Sequence, residues 1–132
     1  MQYPQHVTAN RVIRKSLKIR VWNRDRNTVL AEAAEVAGTS EKRRRGLLGR
    51  THLEPGAGLW ICPCESVHSF GMKFAIDLVY LDRRRRIRKV RPNLVPWRIS
   101  ACLTAHSVLE LPVGTIEATR TERGDQLEFE DL

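Results

Sequence analysis

Phe74-Ala75-Ile76-Asp77-Leu78-Val79-Tyr80-Leu81 decides the fold. Its two alternating sets, Phe74, Ile76, Leu78 and Tyr80 against Ala75, Asp77, Val79 and Leu81, are both largely apolar, the pattern of a central strand covered on both faces. Asp77 alone interrupts it. A carboxylate in such a strand either loses its hydration at a cost of about a few kcal/mol or meets a partner such as Lys73, His68 or an arginine. In a functional reading, Asp77 and His68 converge in a pocket as acid, base or ligand-binding groups; in a structural one, Asp77 makes an ion pair or a hydrogen bond to a loop backbone.

Outward from this strand, Ile87 to Val90 pairs back across Arg83 to Arg86, giving an arginine-tipped hairpin, and further strands are expected at Ser107 to Leu111 and Gln126 to Phe129. Upstream, Leu59-Trp60-Ile61-Cys62 reads as a buried strand that Pro63 ends or bends. Lys15 to Trp22 alternates apolar Leu17, Ile19 and Val21 with Lys18, Arg20 and Trp22, as a half-buried strand does. Val29, Ala33, Val36 and Ala37 recur at helical spacing before Gly38, which predicts a short helix. Thr39 or Ser40 caps a second short helix, with Glu41 in its first turn, running to Leu47 and Leu48. The fold class expected is α+β: two short N-terminal helices followed by a mostly antiparallel, barrel-like sheet. Residues 1–14 are expected to be frayed, and 15–132 to form one domain.

A chain of 132 residues with 42% apolar side chains suits one compact core. No apolar run approaches the ~18 residues of a membrane span, and Met1 to Arg14 lacks the apolar segment of a signal peptide. Cytoplasmic placement and no membrane insertion are the expectation. Cys62, Cys64 and Cys102 are too few, and odd in number, for a disulfide framework, so reduced thiols are expected. The net charge of +8 points to acidic partners. It is unevenly spread: Glu110 to Leu132 holds seven acidic and two basic side chains, whereas seven of the nine residues from Arg83 to Arg91 are basic.

Cys62-Pro63-Cys64-Glu65-Ser66-Val67-His68 offers two thiols and an imidazole, soft enough for zinc or copper, but no second pair at metal-ligand spacing follows. No metal or other cofactor is expected. Cys64 with His68 is the candidate reactive thiol, since a thiolate needs a nearby base or cation; buried, inert thiols are the alternative. Glycine-rich phosphate loops, a nucleophile elbow and paired catalytic carboxylates are missing from the sequence, which disfavours an ordinary nucleotide enzyme. The basic stretch Arg83, Arg84, Arg85, Arg86, Arg88, Lys89 and Arg91 has the charge to meet phosphates but no interleaved aromatics, so a solvated hairpin explains it more simply. Trp97 beside Arg98 is read as a packed indole, with a sugar platform as the functional alternative.

Arg44-Arg45-Gly46-Leu47-Leu48-Gly49-Arg50, then Gly58-Leu59-Trp60-Ile61, then Val67-His68-Ser69-Phe70-Gly71-Met72-Lys73-Phe74-Ala75-Ile76-Asp77-Leu78-Val79-Tyr80-Leu81-Asp82 form an ordered set. With Pro96-Trp97-Arg98, Val108-Leu109-Glu110-Leu111-Pro112-Val113-Gly114 and Gly124-Asp125, this set resembles the bacterial and archaeal domain-of-unknown-function family one hundred and ninety-two, over about Leu17 to Phe129. The resemblance implies a compact α+β domain with a strand-rich, partly closed sheet, brings no established activity, and raises a carbohydrate-related role. By matching position it offers His68, Gly71, Met72, Lys73 and Asp77 as candidates for a shared cleft, with Trp97, Arg98 and Glu110 second. Where the family commonly has Asp-Gly in the hairpin turn, this chain has four arginines.

Three functions fit these residues. The first is a non-catalytic module that binds a small polar ligand or a protein partner in a cleft near His68 and Asp77. The second is a hydrolase-like enzyme using His68 and Asp77, with or without Cys64. The third is binding of nucleic acid or acidic surfaces through the arginine-rich hairpin.

Overall fold

The computed structural model describes residues 18–132. Leu17 and the expected frayed segment lie outside the described residues. Among the described residues, nine strands and two short helices follow in the order β1 (Lys18–Asn23), β2 (Thr28–Ala37), α1 (Ser40–Arg45), β3 (Ala57–Ile61), β4 (Ser66–His68), β5 (Ile76–Leu81), β6 (Ile87–Leu94), β7 (Ile99–Ala101), β8 (Ser107–Pro112), α2 (Thr115–Thr119) and β9 (Leu127–Asp131). Seven strands form one sheet in the order β6-β5-β8-β3-β2-β1-β9, antiparallel except where β2 runs parallel to β3; β4 and β7 form a separate antiparallel pair.

The expected pair of N-terminal helices is corrected by this arrangement. The chain is mostly β, and Val29 to Ala37, expected as a helix, belongs to strand β2. The cause is visible in the pairing with β1. Ile19 faces Ala34, Val21 faces Ala31 and Trp22 faces Val29, so β2 carries one extra residue in each of two successive steps. Each extra residue is a bulge that shifts the phase of the strand. Burial then falls on Leu30, Ala31, Ala34 and Ala37, which imitates a helical stripe. The second helix does form, as α1, but after two strands and shorter than expected. Thr39 Oγ1 accepts the Lys42 amide at 3.2 Å as its N-terminal cap, and α1 ends at Gly46.

The seven-stranded sheet curls into a half-barrel around one apolar cluster. Ile19, Val21, Leu30, Val79, Leu81, Leu109, Leu111, Leu127 and Phe129 point into it, and Ile116 of α2 adds to it. At one end the outermost strands meet: Arg86 bridges Gln126, the Leu127 amide donates to the Arg85 carbonyl at 3.0 Å, and the Ile87 amide donates to the Asp125 carbonyl at 2.9 Å. Arg85 lies with its guanidinium 4.2 Å from the centre of the Phe129 ring and 5.6 Å from that of Trp60, a cation–π contact that fastens the hairpin tip to β9. The second apolar cluster, with Leu47, Leu59, Ile61, Val67, Met72, Ile76, Leu78, Tyr80, Leu94 and Val108, lies on the other side of the sheet. The β4–β7 pair covers it: Val67 packs in, and the Tyr80 hydroxyl donates to Ser100 Oγ at 3.0 Å.

β5 is buried at all six positions and divides its side chains between both clusters, as its sequence predicts. Gly58 of β3 makes the close packing of β2, β3 and β8 possible, because a Cβ there would stand 3.1 Å from the Glu110 carbonyl oxygen and from Leu111 Cδ2. Gly58→Ala is therefore expected to destabilise the domain by about 1–3 kcal/mol through overpacking, read as a lower midpoint in chemical denaturation with an unchanged slope.

Candidate functional site

Asp77 is fully buried, and its side chain lies on the half-barrel side of β5 with Val79 and Leu81. Its partners are backbone amides. Oδ1 accepts from Asn93 at 2.9 Å; Oδ2 accepts from Gly114 at 3.1 Å and Ile116 at 2.9 Å. One carboxylate thus joins the end of β6 and the turn into α2 to the central strand. The cationic partner expected among Lys73, His68 and the arginines is corrected to these amides, the backbone alternative raised from the sequence.

His68 stands elsewhere. It is exposed on β4, in the layer that covers the opposite side of the sheet, and its ring packs 5.1 Å from that of Phe70. The expected convergence of His68 and Asp77 in one cleft does not occur, because alternation along β5 turns Asp77 away from the β4–β7 layer. Phe70 in turn stacks on Trp97 at 5.8 Å and 26°. His68, Phe70 and Trp97 therefore form a continuous row of rings on the outer face of the β4–β7 pair.

Ser69 builds this row. Its side chain is buried, donates to the Val95 carbonyl at 2.6 Å and accepts the Arg98 amide at 2.9 Å. Its backbone donates to the Arg98 carbonyl at 2.9 Å and accepts from the amides of Trp97 at 3.2 Å and Met72 at 3.1 Å. The loop 95–98 is thereby clamped, with Trp97 at φ 69°, a left-handed conformation that a bulky residue rarely adopts. The indole is 66% exposed, so the expectation of a packed Trp97 is corrected. Gly71, at φ 81° with Leu48 Cδ2 close by, turns the chain after Phe70, and Met72 drops into the second cluster. Lys73 and Arg98 are exposed.

Glu110 lies on the sheet side that the β4–β7 pair covers, between Leu59 and Leu78 on the neighbouring strands. It is 3% exposed, and its Oε1 has no hydrogen-bond partner. Burial pushes its carboxyl up to about 7; the Arg50 guanidinium, which pulls the other way, is clasped by Glu35 at 2.9 and 3.3 Å.

The cysteines do not form a nucleophilic pair with His68. Cys64 Sγ donates to the Ser66 carbonyl at 3.1 Å, and burial raises its thiol pKa, so the expected activation of Cys64 by His68 is corrected. Cys62 Sγ instead contacts His106 Nε2 at 3.4 Å, and burial raises its thiol also. Among the described residues no group of three or more His, Cys, Asp or Glu side chains is placed to hold a metal ion.

The family model for domain-of-unknown-function family 192, described as "Uncharacterized ACR", matches residues 21–129. The chain belongs to this family. Relatives of this DUF192 domain include the UPF0127 protein of Thermococcus sibiricus, 31% identical over 117 residues, which cover 82% of this chain and 73% of the relative. A UPF0127 protein of Pyrococcus abyssi is 34% identical over 102 residues, covering 72% and 84%. Among solved structures, a Sinorhizobium meliloti protein described as a "putative transcription regulator" superposes with a TM-score of 0.76 at 22% identity, covering 86% of this chain and 93% of that one. A protein of unknown function from Novosphingobium aromaticivorans superposes at 0.71 and 21% identity, covering 86% and 84%. These likenesses establish the fold of the DUF192 domain, and the UPF0127 names assign no activity.

In this DUF192 domain the basic stretch is largely turned to structural use. Besides the ring contacts of Arg85, Arg86 donates to the Gly124 carbonyl at 2.8 Å, Arg91 to the Pro92 carbonyl at 2.6 Å, Lys89 to the Ala101 carbonyl at 2.7 Å and Arg88 to Thr104 Oγ1 at 3.4 Å. Arg83 and Arg84 are exposed at the turn, where Asp82 Oδ1 accepts the amides of Arg84 at 2.8 Å and Arg86 at 3.0 Å. An aspartate at the start of the turn thus organises it without the Asp-Gly pair common in the family. Phe70 and Ser69 stand in the family motif, but a buried serine and an exposed phenylalanine carry no sequence signal of their own.

Two measurements check these assignments. Asp77→Asn replaces one acceptor oxygen by a donor facing backbone N–H groups, so a loss of about 1–3 kcal/mol is expected in denaturant unfolding. For Glu110, the protonated form is favoured in the folded chain. Its contribution to stability is therefore full below the ordinary value of 4.5 and is lost as pH rises through about 7. Glu110→Gln should remove this dependence, so that wild type loses about 3 kcal/mol relative to the variant between acid and mildly alkaline pH, checked by melting both across that range.

Proposed function

We propose that this DUF192 domain is a non-catalytic binding module and that its recognition surface is the outer face of the β4–β7 pair. The observation that carries this reading is Trp97, held left-handed by the Ser69 clamp with its indole facing outward against Phe70. Backbone strain that exposes an aromatic ring opposes stability and points to use of the ring. Arg98 and His68 supply polar groups beside the rings, so the face suits a ligand with both an apolar and a polar side. A sugar ring, in keeping with the carbohydrate-related role the resemblance raises, is the small-molecule class of that kind.

A hydrolase built on His68, Asp77 and Cys64 has less support. Asp77 spends both oxygens on backbone amides, Cys64 bonds Ser66, and His68 packs in the ring row. No described helix is long and apolar enough to cross a membrane, and Cys62, Cys64 and Cys102 are unpaired. We assign the module to the cytoplasm on the reduced thiols.

The test is a thermal-shift panel of mono- and oligosaccharides on wild type, Trp97→Ala and Ser69→Ala, since a ligand of the folded state raises its melting temperature. A shift in wild type that Trp97→Ala abolishes while the variant still melts cooperatively is the expected result. Substrate turnover that survives Trp97→Ala and is lost in His68→Ala would instead make the protein an enzyme.

A further inference from the structure

We infer that the β4–β7 face, besides its small-molecule ligand, docks on an anionic bilayer surface, on which the domain lies peripherally without spanning it. This rests on the reading of that face as the binding surface and adds a macromolecular partner to it. Register sets the geometry: Val67 faces Ser100, both turned inward, so Ser66, His68, Ile99 and Ala101 face out. Phe70 lies in the turn that follows β4, Trp97 in the left-handed bend before β7 with its ring stacked on Phe70, and Leu103 in the turn that follows β7. Four large apolar side chains on β4 and β7 or in the turns next to them stand in solvent: Phe70 at 42% exposure, Trp97 at 66%, Ile99 at 69% and Leu103 at 78%.

Exposure of this degree describes side chains that protrude and do not line a groove. Such a set suits a partner into which individual side chains can sink, as aromatic and aliphatic groups do at the boundary between lipid headgroups and acyl chains. The rim supplies the complementary charge. Lys89 and Arg88 reach from β6 to Ala101 and Thr104, Arg98 lies between Trp97 and Ile99, and Lys73 is exposed three residues after Phe70. Glu65, whose carbonyl accepts the Cys102 amide at 2.8 Å, adds an exposed carboxylate beside β7. An excess of cations around protruding apolar groups matches an anionic lipid surface, where each Lys or Arg adds attraction and the apolar groups add salt-resistant affinity. Single-stranded nucleic acid would use the charge and Trp97, but Phe70 is stacked against its neighbours, and Ile99 and Leu103 offer nothing for a base to stack on.

The experiment is co-sedimentation of the full chain with vesicles of phosphatidylcholine alone or of phosphatidylcholine with phosphatidylserine. Wild type is expected to pellet with the phosphatidylserine vesicles and to stay largely in the supernatant with the neutral ones. Ile99→Ser with Leu103→Ser should weaken the association by about tenfold or more, and so should Arg88→Gln with Lys89→Gln and Arg98→Gln. Arg44→Gln with Arg45→Gln, which removes two exposed charges on α1, should leave most of it intact. Failure to bind phosphatidylserine vesicles at low salt overturns the inference. If a saccharide or a single-stranded oligonucleotide then binds in a Trp97-dependent manner, the face remains the binding surface and only the bilayer as its partner is overturned. Vesicle binding that ignores the Ile99 and Leu103 changes but is lost with Arg44 and Arg45 overturns both the inference and the choice of face.

Discussion

A carboxylate in the middle of a fully buried strand has to be satisfied where it stands, and Asp77 is satisfied by three backbone amides that no neighbouring strand in the sheet uses. Those amides belong to the far end of β6 and to the turn that starts α2, so the charge holds together segments that chain connectivity leaves apart. Charge-assisted bonds of this kind are roughly twice as strong as neutral ones. Their loss would leave a buried anion with nothing to replace water. The placement of Ile116 over the half-barrel, the path of the chain out of β8 and the inward turn at Asn93 all follow from this one group.

Ser69 plays the corresponding part on the other side of the sheet, with a hydroxyl in place of a charge. Its hydrogen bonds to Val95, Trp97 and Arg98 fix the short loop before β7 and so determine where Trp97 and Phe70 point. The two sides of the molecule are divided in consequence. The half-barrel side is closed by Asp77, α2 and the polar contacts of Asn23 and Arg26 with Asp125, all directed inward. The β4–β7 side ends in rings and aliphatic tips directed outward. Between them lies Glu110, a carboxyl in apolar surroundings whose free oxygen costs stability.

The legible parts of the fold were those where burial follows chain period. β5 was read from its unbroken apolar sets, and the hairpin to β6 from the arginine-rich turn between two apolar runs. β2 was hidden by its two bulges, which convert a strand's alternation into a helix's spacing. β4 and β7 have three residues each and owe their existence to pairing with one another across about thirty residues, so neither has a local pattern long enough to detect. At the site, the resemblance brought His68, Trp97 and Glu110 into view but not their surroundings. A sequence displays side chains and so suggests side-chain partners for Asp77, whereas backbone amides become partners only once loops are placed. The left-handed backbone of Trp97 was beyond reach for the same reason, since Ser69 imposes it from another segment.

The meeting of β6 and β9 has a consequence for how this molecule tolerates crowding with its own kind. In an open sheet the outermost strands present rows of unused N–H and C=O groups that can recruit a strand from another chain. Here the Arg86–Gln126 bridge and its flanking bonds use part of both rows, and Arg85 clamped on Phe129 and Trp60 holds the two strands in place. A domain that carries exposed rings and aliphatic side chains on one face needs such protection on its margins. Arginines that read as a mere surplus of charge thereby serve as a seam against aggregation.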